Sequence, residues 1–127
     1  MKIRVYYEDT DAGGVVYHTK YISFCERARS EIFFKNGITF DKDGFVVRDL
    51  KATFYLPAKL GDLLEIKTSI ISIKKSIVTI LQTIYKDDKI IFEATIKLVY
   101  LQNWKITLIP EKYIEILNSL EDENRIK

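Results

Sequence analysis

The sequence predicts an α+β domain in which a five-stranded antiparallel sheet wraps around one long central helix, with a short helix at the C-terminus. Three observations predict it: a two-residue apolar period over residues 2–8, a helical period from about Thr19, and four further alternating runs between short polar turns. In the first run Ile3, Val5 and Tyr7 oppose Arg4, Tyr6 and Glu8, the pattern of a strand. A loop rich in acids and glycines follows, DTDAGGVVYH from Asp9 to His18.

From Thr19 onward Tyr21, Cys25, Ala28 and Ile32 recur at helical spacing beside Phe24 and Phe33, while Lys20, Glu26, Arg27, Arg29 and Glu31 take polar positions. This spacing predicts a helix of about 17 residues, with Thr19 or His18 near its N-cap and Asn36-Gly37 as its stop. After the FDKDG loop, Leu50, Ala52, Phe54 and Leu56 alternate with Lys51, Thr53 and Tyr55 up to Pro57. Three more strands are expected at Leu63 to Ile73, Ile77 to Tyr85 and Ile90 to Leu101, joined by a Lys74-Lys75-Ser76 turn and a charged KDDK turn. Pro110 can open the C-terminal helix, with Ile114 and Leu117 as its apolar contacts, and 121–127 reads as a frayed tail.

Only one long helix is available to cover the sheet, so a sheet that bends around it buries both. Apolar residues expected on the opposite face, Ile71, Ile73 and Val99, predict that subunits pack together.

Composition narrows the function. The 127 residues make one domain, and 47% hydrophobic content with only two prolines describes a compact globule rather than a disordered chain. Twenty basic and 18 acidic residues leave no strong field for nucleic acid or a membrane surface. The lone Cys25 excludes an internal disulfide and a multi-thiolate metal site. MKIRVYYEDT has no signal-peptide core, and no apolar run approaches the roughly 18 residues of a bilayer span. A cytoplasmic, soluble protein is expected.

The loop from Asp9 to His18 combines two acids, a glycine pair and the only histidine directly ahead of the helix. An acid can serve as base or nucleophile there, glycines admit a ligand to the backbone, and free helix-start amides can hold an oxyanion. That combination suits an acyl group. No metal or other cofactor is expected: no His/Cys/Asp cluster has ligand spacing, and Glu8, Asp9 and Asp11 lack the long EF-hand pattern.

The string VYYEDTDAGGVVYHTKYISFCERAR, Val5 to Arg29, carries Asp-x-Asp, glycine and Val-Tyr-His before Tyr and Glu-Arg-Ala-Arg, and LPAKLGDLLEI, Leu56 to Ile66, is a second such stretch. With the element order, they resemble the hotdog-fold acyl-CoA thioesterases of the 4-hydroxybenzoyl-CoA thioesterase-like group, in particular its Tol-Pal-associated branch. The resemblance implies hydrolysis of an acyl-CoA, with Asp11 as nucleophile or general base and the His18 amide polarising the carbonyl. It also implies a site completed by a neighbouring subunit in a homodimer or homotetramer, with acyl carrier protein as another carrier. Coenzyme A is then substrate, not cofactor.

Within this frame Asp9 is expected to shape the loop. Two roles are open to His18: its ring donates or shuttles a proton, or only its amide acts while the ring orients Asp11 or substrate. Gly14, with Gly13 beside it, clears space for the thioester, and Val15, Tyr17 and Tyr21 line or back the acyl site. Glu26, in a Glu-Arg-x-x-Arg pattern, reads as an ion pair or solvated face, and Cys25 as a core residue. Lys59, Lys74 and Lys75, in turns, can meet coenzyme A phosphates.

Two rivals remain: a non-catalytic module binding acyl-CoA or acyl carrier protein, and a hydratase or dehydratase on the same fold. The retained Asp11 argues against the first. The absence of a His-Phe-Pro-Gly-type segment argues against the second.

Overall fold

The computed structural model of the protein describes residues 1–126, with side chains to residue 120. The expected tail at 121–127 lies outside the residues whose side chains are described. Strands β1 (Lys2–Arg4), β2 (Gly44–Phe54), β3 (Leu63–Lys74), β4 (Ile77–Lys86), β5 (Lys89–Gln102) and β6 (Lys105–Ile106) accompany helices α1 (His18–Phe34) and α2 (Glu111–Ile126). All pairings are antiparallel, in the order β1-β3-β4-β5-β2, with β6 folded back on the end of β5.

The five expected strands are present, but β2 runs from Gly44 to Phe54 rather than from Leu50 to Leu56, because the residues before Leu50 pair with the end of β5, and two-residue turns sharpen the limits of the later strands. Lys74 pairs with Ile77 and Lys86 with Lys89, so only Lys75-Ser76 and Asp87-Asp88 lie between strands. Lys75 and Asp87 take left-handed backbone, with φ of 53° and 55°, which matches a tight turn to the twist of its strands. Asn103 and Trp104 do the same at φ of 51° and 64° and create β6, a strand the sequence did not predict. Tryptophan carries no turn signal, which hid that hairpin.

At the N-terminus the alternation of residues 2–8 overstates the strand. Asp9 Oδ2 accepts the Tyr6 N–H at 2.9 Å, the Asp9 N–H donates to the Tyr6 carbonyl at 3.0 Å, and Tyr7–Asp9 coils into a 3-10 turn. Local side-chain bonding has overridden the strand period.

Helix α1 buries Tyr21, Phe24, Cys25, Ala28, Ile32 and Phe33 against the sheet. It stops as expected: Gly37 adopts φ +77° and its N–H donates to Phe34, while the Ile38 N–H returns to Phe33. Arg29, assigned to the polar side, is instead buried, and its Nη1 donates to Gln82 Oε1 at 2.9 Å. Gln82 in turn donates to the Cys25 carbonyl at 2.9 Å and to Thr68 at 3.1 Å, so the network satisfies polar atoms in the middle of the core.

The expected apolar outer face also changes. A bulge between Ile70 and Ser72 shifts the alternation by one residue, which turns Ile73 toward Val78 and the core and leaves Ile71 exposed. Val99 is buried within the chain. Helix α2 starts behind Pro110, whose carbonyl accepts the Ile114 N–H, and Leu117 seals it to the core at 1% exposure.

Candidate active site

After the 3-10 turn the chain doubles back through a bridge between Thr10 and Val16. The Asp11 N–H donates to the Val15 carbonyl at 2.9 Å and the Gly14 N–H to the Asp11 carbonyl at 3.0 Å, which closes a tight loop with the glycine pair at its tip. Gly14 has φ +81°, a conformation that side chains disfavour. Gly13 donates its N–H to Asp11 Oδ1 at 2.9 Å, and a Cβ there would stand 3.3 Å from that oxygen. Gly13 therefore holds the Asp11 carboxylate, and Gly14 the Asp11 backbone carbonyl. Its second oxygen, Oδ2, has no hydrogen-bond partner among the described residues, and Asp11 is exposed.

Asp9 shapes this loop. Its carboxylate is buried, accepts the Tyr6 N–H and lies 3.6 Å from Lys20 Nζ in the first turn of α1. Its carbonyl accepts the Tyr17 N–H at 2.9 Å, so one residue ties the loop to the helix start on both sides.

The N-cap is Tyr17 rather than Thr19 or His18, and no side chain caps the helix. The amide of Val16 donates to Ala58, that of Tyr17 to Asp9, and that of Lys20 to Tyr17. Among the described residues the amides of His18 and Thr19 have no acceptor. Two free donors and the positive end of the helix dipole thus open beside the Asp11 loop. The His18 ring is exposed, tilted against Tyr17 at 4.5 Å and edge-on to Phe54 at 6.5 Å, and makes no hydrogen bond to Asp11. Lys59 arrives from the β2–β3 connection through a bridge to Val15.

Residues 13–92 match the thioesterase superfamily. The chain belongs to that superfamily, and its fold is the hotdog. It is 42% identical to the acyl-CoA thioesterase YbgC of Helicobacter pylori, over 94% of this chain and all of the relative. It is also 42% identical to the acyl-CoA thioester hydrolase YbgC of Escherichia coli, over 76% of this chain and 77% of that one. A probable thioesterase from Bartonella henselae superposes with a TM-score of 0.81 at 32% identity, covering 87% of this chain and 97% of that one.

Against this superfamily frame, the remaining residues sort by position. Tyr21 backs the site instead of lining it: it is buried, its hydroxyl accepts the Ala58 N–H at 2.9 Å, and its ring stacks on Phe92 at 5.4 Å. Burial, with a smaller push from Asp62, raises its pKa against the opposing Ala58 bond. Lys74, with Lys75, lies at the opposite end of β3 from the Lys59 connection. A strand of that length spans roughly 35 Å, so one chain does not bring Lys59 and Lys74 together.

Glu26 is exposed and accepts from Ser30 Oγ at 2.9 Å, on the solvated side of α1. Burial pushes the Cys25 thiol up to about 12, despite Arg29 nearby, which leaves it inert as a nucleophile. Among the described residues no group of three or more His, Cys, Asp or Glu side chains is placed to hold a metal ion, and no helix is long and apolar enough to cross a membrane.

The sequence reading missed two contributors. Asp62 accepts the Lys59 N–H at 2.8 Å and pairs with Lys86 Nζ at 3.0 Å. Burial works against its charge, but the Lys59 amide and Lys86 together hold the carboxyl below the usual range. A turn of Gly61, at φ +87°, before an acid was the available signal. Phe54, at the end of β2, carries no sequence signal that sets its ring apart from its neighbours on the strand.

Proposed function

We propose that the protein hydrolyses the thioester of an acyl-CoA to the free acid and coenzyme A, with Asp11 as nucleophile or general base. The observation that carries this reading is the pairing of an uncapped helix start with an aspartate whose one oxygen is held by Gly13 and whose other is open. The YbgC relatives named as acyl-CoA thioesterases support it.

A carboxylate oxygen of Asp11 attacks the thioester carbon, or takes a proton from the water that does. Negative charge gathers on the carbonyl oxygen, where the His18 N–H donates to it. The carbon–sulfur bond then breaks, and the coenzyme A sulfur leaves as thiolate and takes up a proton. In the nucleophilic route water hydrolyses the resulting anhydride and restores Asp11.

Gly14, Val15 and Tyr17 border this space and Tyr21 supports it from behind. Lys59 faces the phosphates, and Lys74 reaches them only from a neighbouring subunit of a homodimer or homotetramer. An acyl carrier protein presents the same thioester carbon and is a second carrier for the reaction.

Release of thiol from a panel of aliphatic and aromatic acyl-CoAs tests the reading, with Asp11→Asn as control. Full activity in that variant would refute the mechanism, and no release from any substrate would favour a binding module. Single turnover in isotopically labelled water separates the two routes, because label enters Asp11 only through a covalent step. His18→Ala removes the ring and leaves the amide: activity within about threefold of the parent assigns the amide alone, whereas a loss of about 10²-fold or more assigns the ring a proton-transfer part.

A further inference from the structure

Phe54 closes β2 opposite Phe92 of β5, and yet the two rings are treated differently. Phe92 is fully buried, whereas Phe54 remains 48% exposed. The cause is the start of α1: Tyr21 covers Phe92 by stacking on it, and no residue of α1 lies ahead of His18 to cover Phe54. Phe54 therefore stands edge-on to three rings, Phe92 at 5.1 Å, Tyr21 at 5.7 Å and His18 at 6.5 Å. At these separations the rings touch, and no acyl carbon passes between them. Behind lies a fixed wall, since the Tyr21 hydroxyl is held by the Ala58 N–H.

We propose that Phe54 sets the length of the acyl chain, its half-exposed ring standing across the path from the His18 amide toward the buried Tyr21–Phe92 stack. The inference rests on acyl-CoA hydrolysis at Asp11. A thioester carbonyl bound at the His18 amide starts its acyl chain one ring contact from Phe54. A short chain lies across that ring and keeps its apolar contact. A longer one collides with it or must turn out into water, and loses the burial that each further methylene would contribute.

The test is kcat/KM across a saturated series from acetyl- to palmitoyl-CoA for the parent chain, Phe54→Ala and Phe54→Trp. Phe54→Ala is expected to raise the decanoyl-to-butyryl ratio by about tenfold or more, the low end of what one or two accommodated methylenes provide. Phe54→Trp should shift the ratio the other way. A ratio in Phe54→Ala within about twofold of the parent, in protein with unchanged near-ultraviolet circular dichroism, overturns the proposal. Should that variant fail to fold, Phe54→Leu replaces it, with an expected rise of about threefold and the same overturning result. Absence of thiol release by the parent chain from every substrate is a different failure: it removes the hydrolase reading and this inference with it.

Discussion

At one end of the sheet Phe33, Phe40, Phe45 and Tyr100 gather around Tyr113 of α2, with ring centroids 5.1 to 6.0 Å apart between neighbours such as Phe33–Phe40 and Phe33–Tyr113. At the other end Tyr17 and Phe54 each meet the His18 ring, but both stay about half exposed. The first cluster has a helix laid over it, sealed by Leu117. The second has none, and it adjoins the two unbonded amides at the end of the Asp11 loop. Covering rings stabilises a fold, and leaving them open forgoes that gain. The difference teaches that this chain leaves rings uncovered at the end where the proposed reaction would place its ligand.

The largest effect that sharpens the contrast belongs to the open end. Asp11→Asn should lower kcat by about 10²- to 10⁴-fold while leaving the thermal unfolding midpoint nearly unchanged, because only an exposed side chain and one loop bond are involved. Equal losses of activity and stability would mean that Asp11 merely builds the loop. At the closed end Leu117→Ala should do the reverse, costing about 2 to 5 kcal/mol in denaturant unfolding with kcat of the folded protein retained. A drop in kcat there would show the two ends to be coupled.

Gly14→Ala has a smaller cost, about 1 to 2 kcal/mol, because a Cβ at φ +81° is strained although nothing lies within 4 Å of it. The smallest effect concerns the core between the ends. Cys25 is raised to about 12 by burial, so the folded state holds its proton more tightly than the unfolded chain. Its contribution to stability is complete below the unfolded value of about 8.5 and is lost as pH rises from there toward 12. Unfolding measured across that window should show a steeper alkaline decline for the parent than for Cys25→Ala.

Much of this architecture was legible before folding. The helical spacing of Tyr21, Cys25, Ala28 and Ile32, the Asn36-Gly37 stop and the last three alternating strands are local patterns, and each appeared where expected, whereas β2 starts at Gly44, six residues ahead of the Leu50 alternation. Arg29 was not legible: its position looked polar, and only Gln82, 53 residues away, makes its burial tolerable. The bulge at Ile71 likewise reversed the face of Ile73, because alternation cannot show where a ladder slips.

The site divides along the same line. The Asp11 loop, its glycines and His18 are contiguous, so chemistry and spacing were readable together in the sequence. Phe54 reaches that end through strand pairing, Lys59 and Asp62 through the β2–β3 connection and its bridge to Val15, and Lys74 is carried to the other. Sequence by itself determined the element order and the acid-glycine loop ahead of the helix, because those depend on short-range period, turn chemistry and backbone freedom. The tertiary structure decided which rings are covered and which remain open, because burial depends on elements that meet only after the chain has folded.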